Sequence, residues 1–484
     1  MKLKKALFFR FRIEYYMISR LWHKVLIVIS VFLVFTFLYK LLEKPSIYHS
    51  TIGKITNNYL RVKTDKGSEI VESDTAFTQF QGNHEANWDA VYYRGIRDSM
   101  YSGTTKITQY RYAFYPFFPM IWKLSHANSH GIILLNYLFF GLFLLLLSSV
   151  FMKGTTSEIF FFVIALLLPT SISYRIPYTE SLFALTFSLA IIGLLKQKYW
   201  LYFIAMLFFT MTRPAALMFC AAFSIINLLQ FFRHKKILLF IKECLLTALP
   251  VIVGVFIVTL IQFYYSHSWT SYIEACGLWT KRPDLYKAVS DWSVEGFSMN
   301  AFAIFFFAVP VIVYAIIKCI KTLSSKTTPN SVSLFGGNEV YIKEYMFNIS
   351  ILFITIFSFF TLWASGYDIN GFSRYTMATP FFYIILFQLP QKLETMPWAY
   401  KASAFIIGIA GILLFLMSTE YAGDILRFQY LGLYLLIPLG FMIIFQQYFS
   451  NRVKIILLIL FLIPCSIWHA YLFNMYLGDT WIFT

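Results

Sequence analysis

Charge is what this sequence has least of. Of 484 residues, 13% are Asp, Glu, Lys or Arg and 59% are apolar, whereas a soluble domain carries roughly 25% charge. One soluble core cannot hide that much apolar surface, which excludes an ordinary water-soluble enzyme. Acidic residues are scarcer still, 23 against 40 Lys and Arg, for a net charge of +17. The five cysteines, Cys220, Cys244, Cys276, Cys319 and Cys465, show neither a disulfide framework nor zinc spacing, and read as packing residues. There is no phosphate-binding P-loop, no G-x-G-x-x-G and no H-E-x-x-H. Direct use of a nucleotide sugar by a cytosolic domain is therefore excluded. The internal repeat that marks many secondary transporters is also missing.

In place of charge there are apolar runs of about 20 residues, the length of a membrane-crossing helix. The predicted fold is an all-α polytopic membrane protein, a single membrane domain over 1–484. Thirteen spans are expected, at 23–40, 131–152, 159–173, 180–195, 199–213, 215–232, 245–266, 300–318, 346–364, 379–391, 402–418, 430–448 and 455–473. The basic residues sit between these runs. The positive-inside rule accounts for them better than a nucleic-acid partner does, and no nucleic acid is expected. The cytosolic side so assigned holds six of the 23 acidic residues: Glu14, Glu158, Glu243, Glu339, Glu344 and Glu394. The basic N terminus, 1–24, followed by an apolar run without a small-x-small site, reads as an uncleaved signal anchor with a cytosolic N terminus. This gives a multi-pass protein of the plasma (inner) membrane. Its first extracytoplasmic loop is large, 41–130, beginning with a polar stretch suited to a strand or two and ending in interfacial helices. A second extracytoplasmic loop spans 267–299, with Lys281, Arg282 and Asp284 as solvated residues, and a flexible cytosolic loop spans 319–345.

The stretch from Asn87 to Pro119 stands out. It places Asp89 among aromatic residues at the depth where Trp and Tyr belong, since their rings are apolar and their N–H or O–H stays wet. Helical spacing puts Trp88, Val91, Tyr92 and Ile96 along an interfacial face, with Tyr93 one turn from Asp89 and able to hydrogen-bond it. A carboxylate there can act as general base toward a sugar hydroxyl. The plain alternative is an acid complementing a helix N terminus. Arg175, Arg213 and Arg374 stand at the outer ends of short spans, where a buried cation is costly unless paired and where a guanidinium can hold phosphate oxygens. The alternative for each is snorkelling to headgroups. Glu180 opens a span as a cap or as a ligand-positioning acid. His84 and Glu85 are the nearest companions with which Asp89 could hold a metal, and a dedicated metal site is not expected.

These residues fall in motifs. Trp88-Asp89-x-x-Tyr92, followed by Ala113-Phe114-Tyr115-Pro116-Phe117-Phe118-Pro119, resembles the "WD…Y…AFFPLYP" signature of the PIG-V family. That family comprises the second mannosyltransferase of glycosylphosphatidylinositol synthesis and its prokaryotic relatives. Pro177-Tyr178-Thr179-Glu180-Ser181-Leu182-Phe183, Thr212-Arg213-Pro214 and Ser373-Arg374-Tyr375 with Pro380 resemble its later elements in order. The resemblance covers roughly residues 80 to 385. It departs at Met100-Tyr101-Ser102-Gly103 and in a basic spacer carrying Lys106 and Arg111. The resemblance implies a GT-C glycosyltransferase fold and inverting transfer of a sugar, usually mannose, from a polyprenyl-phosphate donor to a lipid or glycan acceptor. It implies Asp89 as general base. Trp88, Tyr92, Tyr93, Arg111, Glu180, Arg213, Arg374 and Tyr375 are then candidate substrate-binding residues. No cofactor is called for, although a divalent metal is compatible. Two other readings share the features: a lipid-linked-sugar flippase without chemistry, and a protein O-mannosyltransferase or aminoarabinose-transferase relative. Ala90 follows Asp89 where such relatives carry Glu.

Overall fold

A computed structural model describes the backbone of residues 2–56, 59–64, 67–72, 86–152, 157–279, 294–324, 333–364, 371–417, 428–444, 446, 448–478 and 482–483. Lys281, Arg282, Asp284, His84 and Glu85 lie outside the described residues. The protein is a polytopic helical membrane protein. Seven helices are long and apolar enough to cross a membrane: Leu21–Leu42, His130–Phe151, Ile237–Ser266, Gly296–Lys321, Glu339–Leu362, Trp398–Phe415 and Asn451–Leu477. Each coincides with one of the thirteen predicted spans.

The other six predicted spans coincide with shorter apolar helices, and their shortness is informative. In α8 (Ser157–Leu167) the helix ends two residues before Pro169, and a 3-10 turn (Pro169–Tyr174) follows. Span 159–173 is thus not one continuous helix, because proline cannot donate the backbone hydrogen bond that continuation requires. Next come α9 (Glu180–Leu195) and α10 (Tyr199–Thr212). They form an antiparallel hairpin across Lys196–Lys198, and their similar lengths bring the start of α9 level with the end of α10. The hairpin is tight at Gly193, where a Cβ would stand 2.6 Å from the Tyr202 backbone nitrogen. At 1.5 Å per residue these helices reach about 20–25 Å, short of a hydrocarbon core of roughly 30 Å. Their charged ends, Glu180 and Arg213, therefore lie inside the bundle rather than beyond it.

The first loop begins with α2 (Pro45–Ser50), α3 (Ile52–Thr56) and an antiparallel hairpin of β1 (Tyr59–Thr64) and β2 (Gly67–Glu72), the strands expected there. It continues with α4 (Asp89–Ser99), α5 (Lys106–Arg111) and α6 (Phe117–Leu124). The buried face of α4 is Ala90, Tyr93 and Ile96. Trp88 is not on that helix: it is the N-cap, and Val91 is exposed. The expected face is thus rotated, since packing against α6 rather than the aromatic pattern alone sets the orientation.

Helices α1 (Lys2–Leu42) and α7 (Ser129–Phe151) pack against this assembly. The buried Lys24 on α1 donates from Nζ to Ser148 Oγ on α7 at 2.9 Å. The chain proceeds through α11 (Ala216–His234), α12 (Ile237–Ser266) and α13 (Ser271–Trp279). Then follow α14 (Val294–Phe302), which runs through a π-helical turn into α15 (Val309–Ser324), and α16 (Glu339–Ala364). The last elements are the short α17 (Phe372–Met377), then α18 (Pro380–Thr395), α19 (Trp398–Met417), α20 (Phe428–Ile444) and α21 (Asn451–Leu477).

Candidate functional site

Four charged residues from distant parts of the chain converge at one end of the bundle. Glu180 opens α9 and is fully buried. Its carboxylate faces the positive end of the α9 dipole, a favourable place for an acid. Arg213 follows the last residue of α10, where Pro214 disfavours further helix. Its backbone is extended, with φ −151° and ψ 142°. That turn directs Arg213 to its neighbour: Nη1 lies 2.8 Å from Glu180 Oε1. From the other half of the chain, Arg374 on α17 places Nε 2.5 Å from the same Oε1. Its Nη1 reaches Asp89 Oδ2, also at 2.5 Å. The side chain of Asp89 is 21% exposed and that of Arg374 is 2% exposed. Among the described residues nothing hydrogen-bonds to Asp89 Oδ1 or Glu180 Oε2.

Two carboxylates and two guanidiniums balance in charge, which makes burial tolerable. Burial works against the Arg374 charge, but Glu180 and then Asp89 outweigh it and hold the guanidinium above its ordinary range. Its plane also lies 4.2 Å over the Tyr178 ring, a cation–π contact that strengthens as water is excluded.

The supporting groups account for how the four are held. In α7, Asn136 is fully buried and its Nδ2 donates to the carbonyls of Ile176 and, at 3.0 Å, Tyr178. This fixes the turn that leads into Glu180. At the entrance to α4, Asn87 Nδ2 donates to the carbonyl of Tyr476 at 2.8 Å, while the Tyr476 hydroxyl donates to the Asn87 carbonyl at 3.2 Å. Next to this clamp Trp88 has φ 54° and ψ −124°. A non-glycine residue in so sparsely populated a region costs of order 1–3 kcal/mol, a strain found often at functional sites. Here it sets the direction in which α4 leaves, and so where Asp89 points.

Tyr93 does not bond Asp89, as its spacing suggested. Its ring packs between Phe114, Phe118 and Tyr178, and its hydroxyl meets Thr179 Oγ1 at 3.4 Å. Burial raises the Tyr93 phenol above its ordinary value, followed by the effect of Asp89, so it is a neutral group joining α4 to the Glu180 turn. Tyr92 stacks on Phe114 with ring centroids 4.8 Å apart. Tyr375 packs on Phe357 and across Gly371. Gly371 adopts φ +73° as the N-cap of α17, and a Cβ there would stand 2.9 Å from the Tyr375 ring.

Two expected members lie elsewhere. Arg111 packs its guanidine on Gly95 and donates from Nη1 to Ser99 Oγ at 3.0 Å. Gly95 is six residues past Asp89, about 9 Å along the helix. Arg175 is buried between Phe35 and Tyr137 rather than beside Arg213 and Arg374.

The site also uses residues to which no sequence motif assigned a role. The Phe483 carbonyl accepts from Gly371 N and, at 2.8 Å, from Asn300 Nδ2, and Asn300 Oδ1 accepts from Ser373 N at 2.9 Å. The Phe483 ring lies 5.7 Å from the Arg374 guanidinium. The only sequence signal was an apolar, aromatic chain end after a glycine. Among the described residues no group of three or more His, Cys, Asp and Glu is placed to hold a metal ion. Compared with protein-family models, curated proteins and solved structures, the chain matches none of them, and the site is read from its own residues.

Proposed function

We propose that the protein is an integral membrane glycosyltransferase of the GT-C class that moves a sugar, mannose by resemblance, from a polyprenyl-phosphate donor to a lipid or glycan acceptor. The observation that carries this reading is the Asp89–Arg374–Glu180–Arg213 chain: an acid with one unbonded oxygen, linked to two buried guanidiniums. Arg374 orients Oδ2 of Asp89 and leaves Oδ1 to receive an acceptor hydroxyl. As the acceptor oxygen bonds the anomeric carbon, its proton passes to Oδ1. The bond from that carbon to the phosphate oxygen breaks, and its electron pair leaves with the phosphate. Proton transfer removes the Asp89 charge, so the balanced cluster becomes net positive as the leaving phosphate gains negative charge. Positive charge fixed in advance in a poorly hydrated site is an effective way to stabilise such a leaving group.

Arg374→Lys tests this arrangement. An ammonium is a point charge and cannot bridge two carboxylates as a planar fork can. The expected result is a folded protein whose turnover falls about 10²-fold, the order found on removing one preorganised donor, with the donor KM rising more than the acceptor KM. Wild-type donor kinetics would remove Arg374 from the site. The reaction is proposed on the extracytoplasmic face of the plasma membrane, the side to which the positive-inside reading assigns 17 of the 23 acidic residues and the smaller share of the basic ones. A reporter fused after Lys236 should then read cytosolic and one after Asp368 external. The reverse would place the site on the wrong face for such a donor.

A further inference from the structure

Among the described residues three arginines are buried, and the cluster above uses two of them. The third, Arg175, is 2% exposed. It follows the 3-10 turn, with its backbone nitrogen bonded to the Ile172 carbonyl at 2.9 Å. Its guanidinium carbon lies 4.3 Å from the Phe35 ring centroid on α1 and 4.7 Å from that of Tyr137 on α7. Those contacts engage the faces of the guanidinium. Its hydrogen-bond donors point outward in its plane, where rings cannot satisfy them. Among the described residues none accepts from Arg175 Nε, Nη1 or Nη2, and none is a carboxylate paired with it. The same Phe35 ring also meets His469 of α21, fully buried, with ring centroids 5.8 Å apart at 68°. Neither of its ring nitrogens has a protein partner among the described residues.

A buried cation without a counter-charge, beside a second buried group with unmet hydrogen-bonding capacity, is expensive. In membrane proteins such residues mark ligand or ion sites. We propose that Arg175 and His469 form a membrane-buried site for a phosphoryl group, separate from the charge-balanced cluster. The planar fork of arginine matches phosphate oxygens two at a time, and a neutral imidazole adds one further donor. Because α1 and α21 both carry long apolar faces exposed on the bundle exterior, the group fits a lipid headgroup whose chains remain between or outside these helices. The inference does not depend on the transferase reading.

The test is the melting temperature of the purified full-length protein in neutral detergent, with inorganic phosphate or with decyl phosphate. A ligand that binds the folded state raises that temperature with concentration. Wild type should be stabilised by decyl phosphate. Stabilisation by decyl phosphate alone identifies a lipid headgroup site, and stabilisation by both shows that the phosphoryl group suffices. Arg175→Met keeps length and apolar volume but removes the charge. It should melt higher than wild type without ligand, because an unpaired buried charge is gone, and should lose the response to decyl phosphate. His469→Asn should weaken the response about tenfold, and it serves as the readout if the Met variant does not accumulate. Wild type indifferent to both probes, or variants that respond as wild type does, would overturn the site.

Discussion

Asp89→Asn should abolish sugar transfer while leaving the protein folded. Loss of a positioned general base typically lowers a rate by roughly 10² to 10⁴, and the amide cannot take a proton in the same way. Its oxygen can still accept the hydrogen bond that Arg374 now gives to Oδ2, so the local geometry has reason to persist. Asp89 is also partly exposed, which limits what its charge contributes to stability. A residue serving only the α4 dipole would behave differently. That interaction is worth typically 0.3–1 kcal/mol, and its loss would barely register in turnover. The check pairs initial rates of transfer from a polyprenyl-phosphate donor with the melting temperature of both proteins. An Asn variant transferring at near wild-type rate would end the catalytic assignment of Asp89.

The largest effect on stability is expected at Glu180, for the opposite reason. Its side chain is completely buried and its Oε1 faces two guanidiniums, at 2.5 and 2.8 Å. Removing one partner of a buried ion pair usually costs about 3–5 kcal/mol, because the remaining charge is left uncompensated. Glu180→Gln keeps the shape and removes the charge, leaving Arg213 without its carboxylate partner and Arg374 with Asp89 alone among the acids of the cluster. We expect a melting temperature many degrees below wild type and poor recovery from the membrane. The double variant Glu180→Gln, Arg213→Gln removes both charges of one pair and should regain part of the loss, since these two side chains are in contact and their effects should not add. A Gln variant as stable as wild type would show that the buried network contributes little to the fold.

Much of this was legible in the sequence, but unevenly. Seven predicted spans coincide with full-length crossing helices because a run of about 20 apolar residues has few other uses. The six shorter ones were read as spans of the same kind, yet their shortness builds the site by placing Glu180 and Arg213 on recessed helix ends. Residue chemistry marked Asp89, Glu180, Arg213 and Arg374 as candidates. It could not say which arginines would meet, since Arg175 and Arg213 stand at similar span ends and only packing separates them. Asp89 and Arg374 are 285 positions apart, a pairing that no local pattern encodes. Tyr93 was assigned to Asp89 by helical spacing, but α4 rotates its face toward α6 and Thr179. The contributions of Asn136, Asn300 and Phe483 were invisible for a related reason. Each acts on or through a backbone group far away in sequence, and hydrogen bonds of that kind leave little trace in residue type.

A single displacement assisted by one base leaves its mark on the anomeric configuration of the product. Purified protein would be given a polyprenyl-phosphate mannose labelled at the anomeric carbon, with membrane lipid extract as acceptor, and the linkage in the new glycolipid read by NMR. Transfer with inversion is expected, because the partly exposed Asp89 has one oxygen open to the acceptor while Glu180 is fully buried. Retention of configuration, which requires a second displacement at the same carbon, or no transfer from this class of donor, would contradict it.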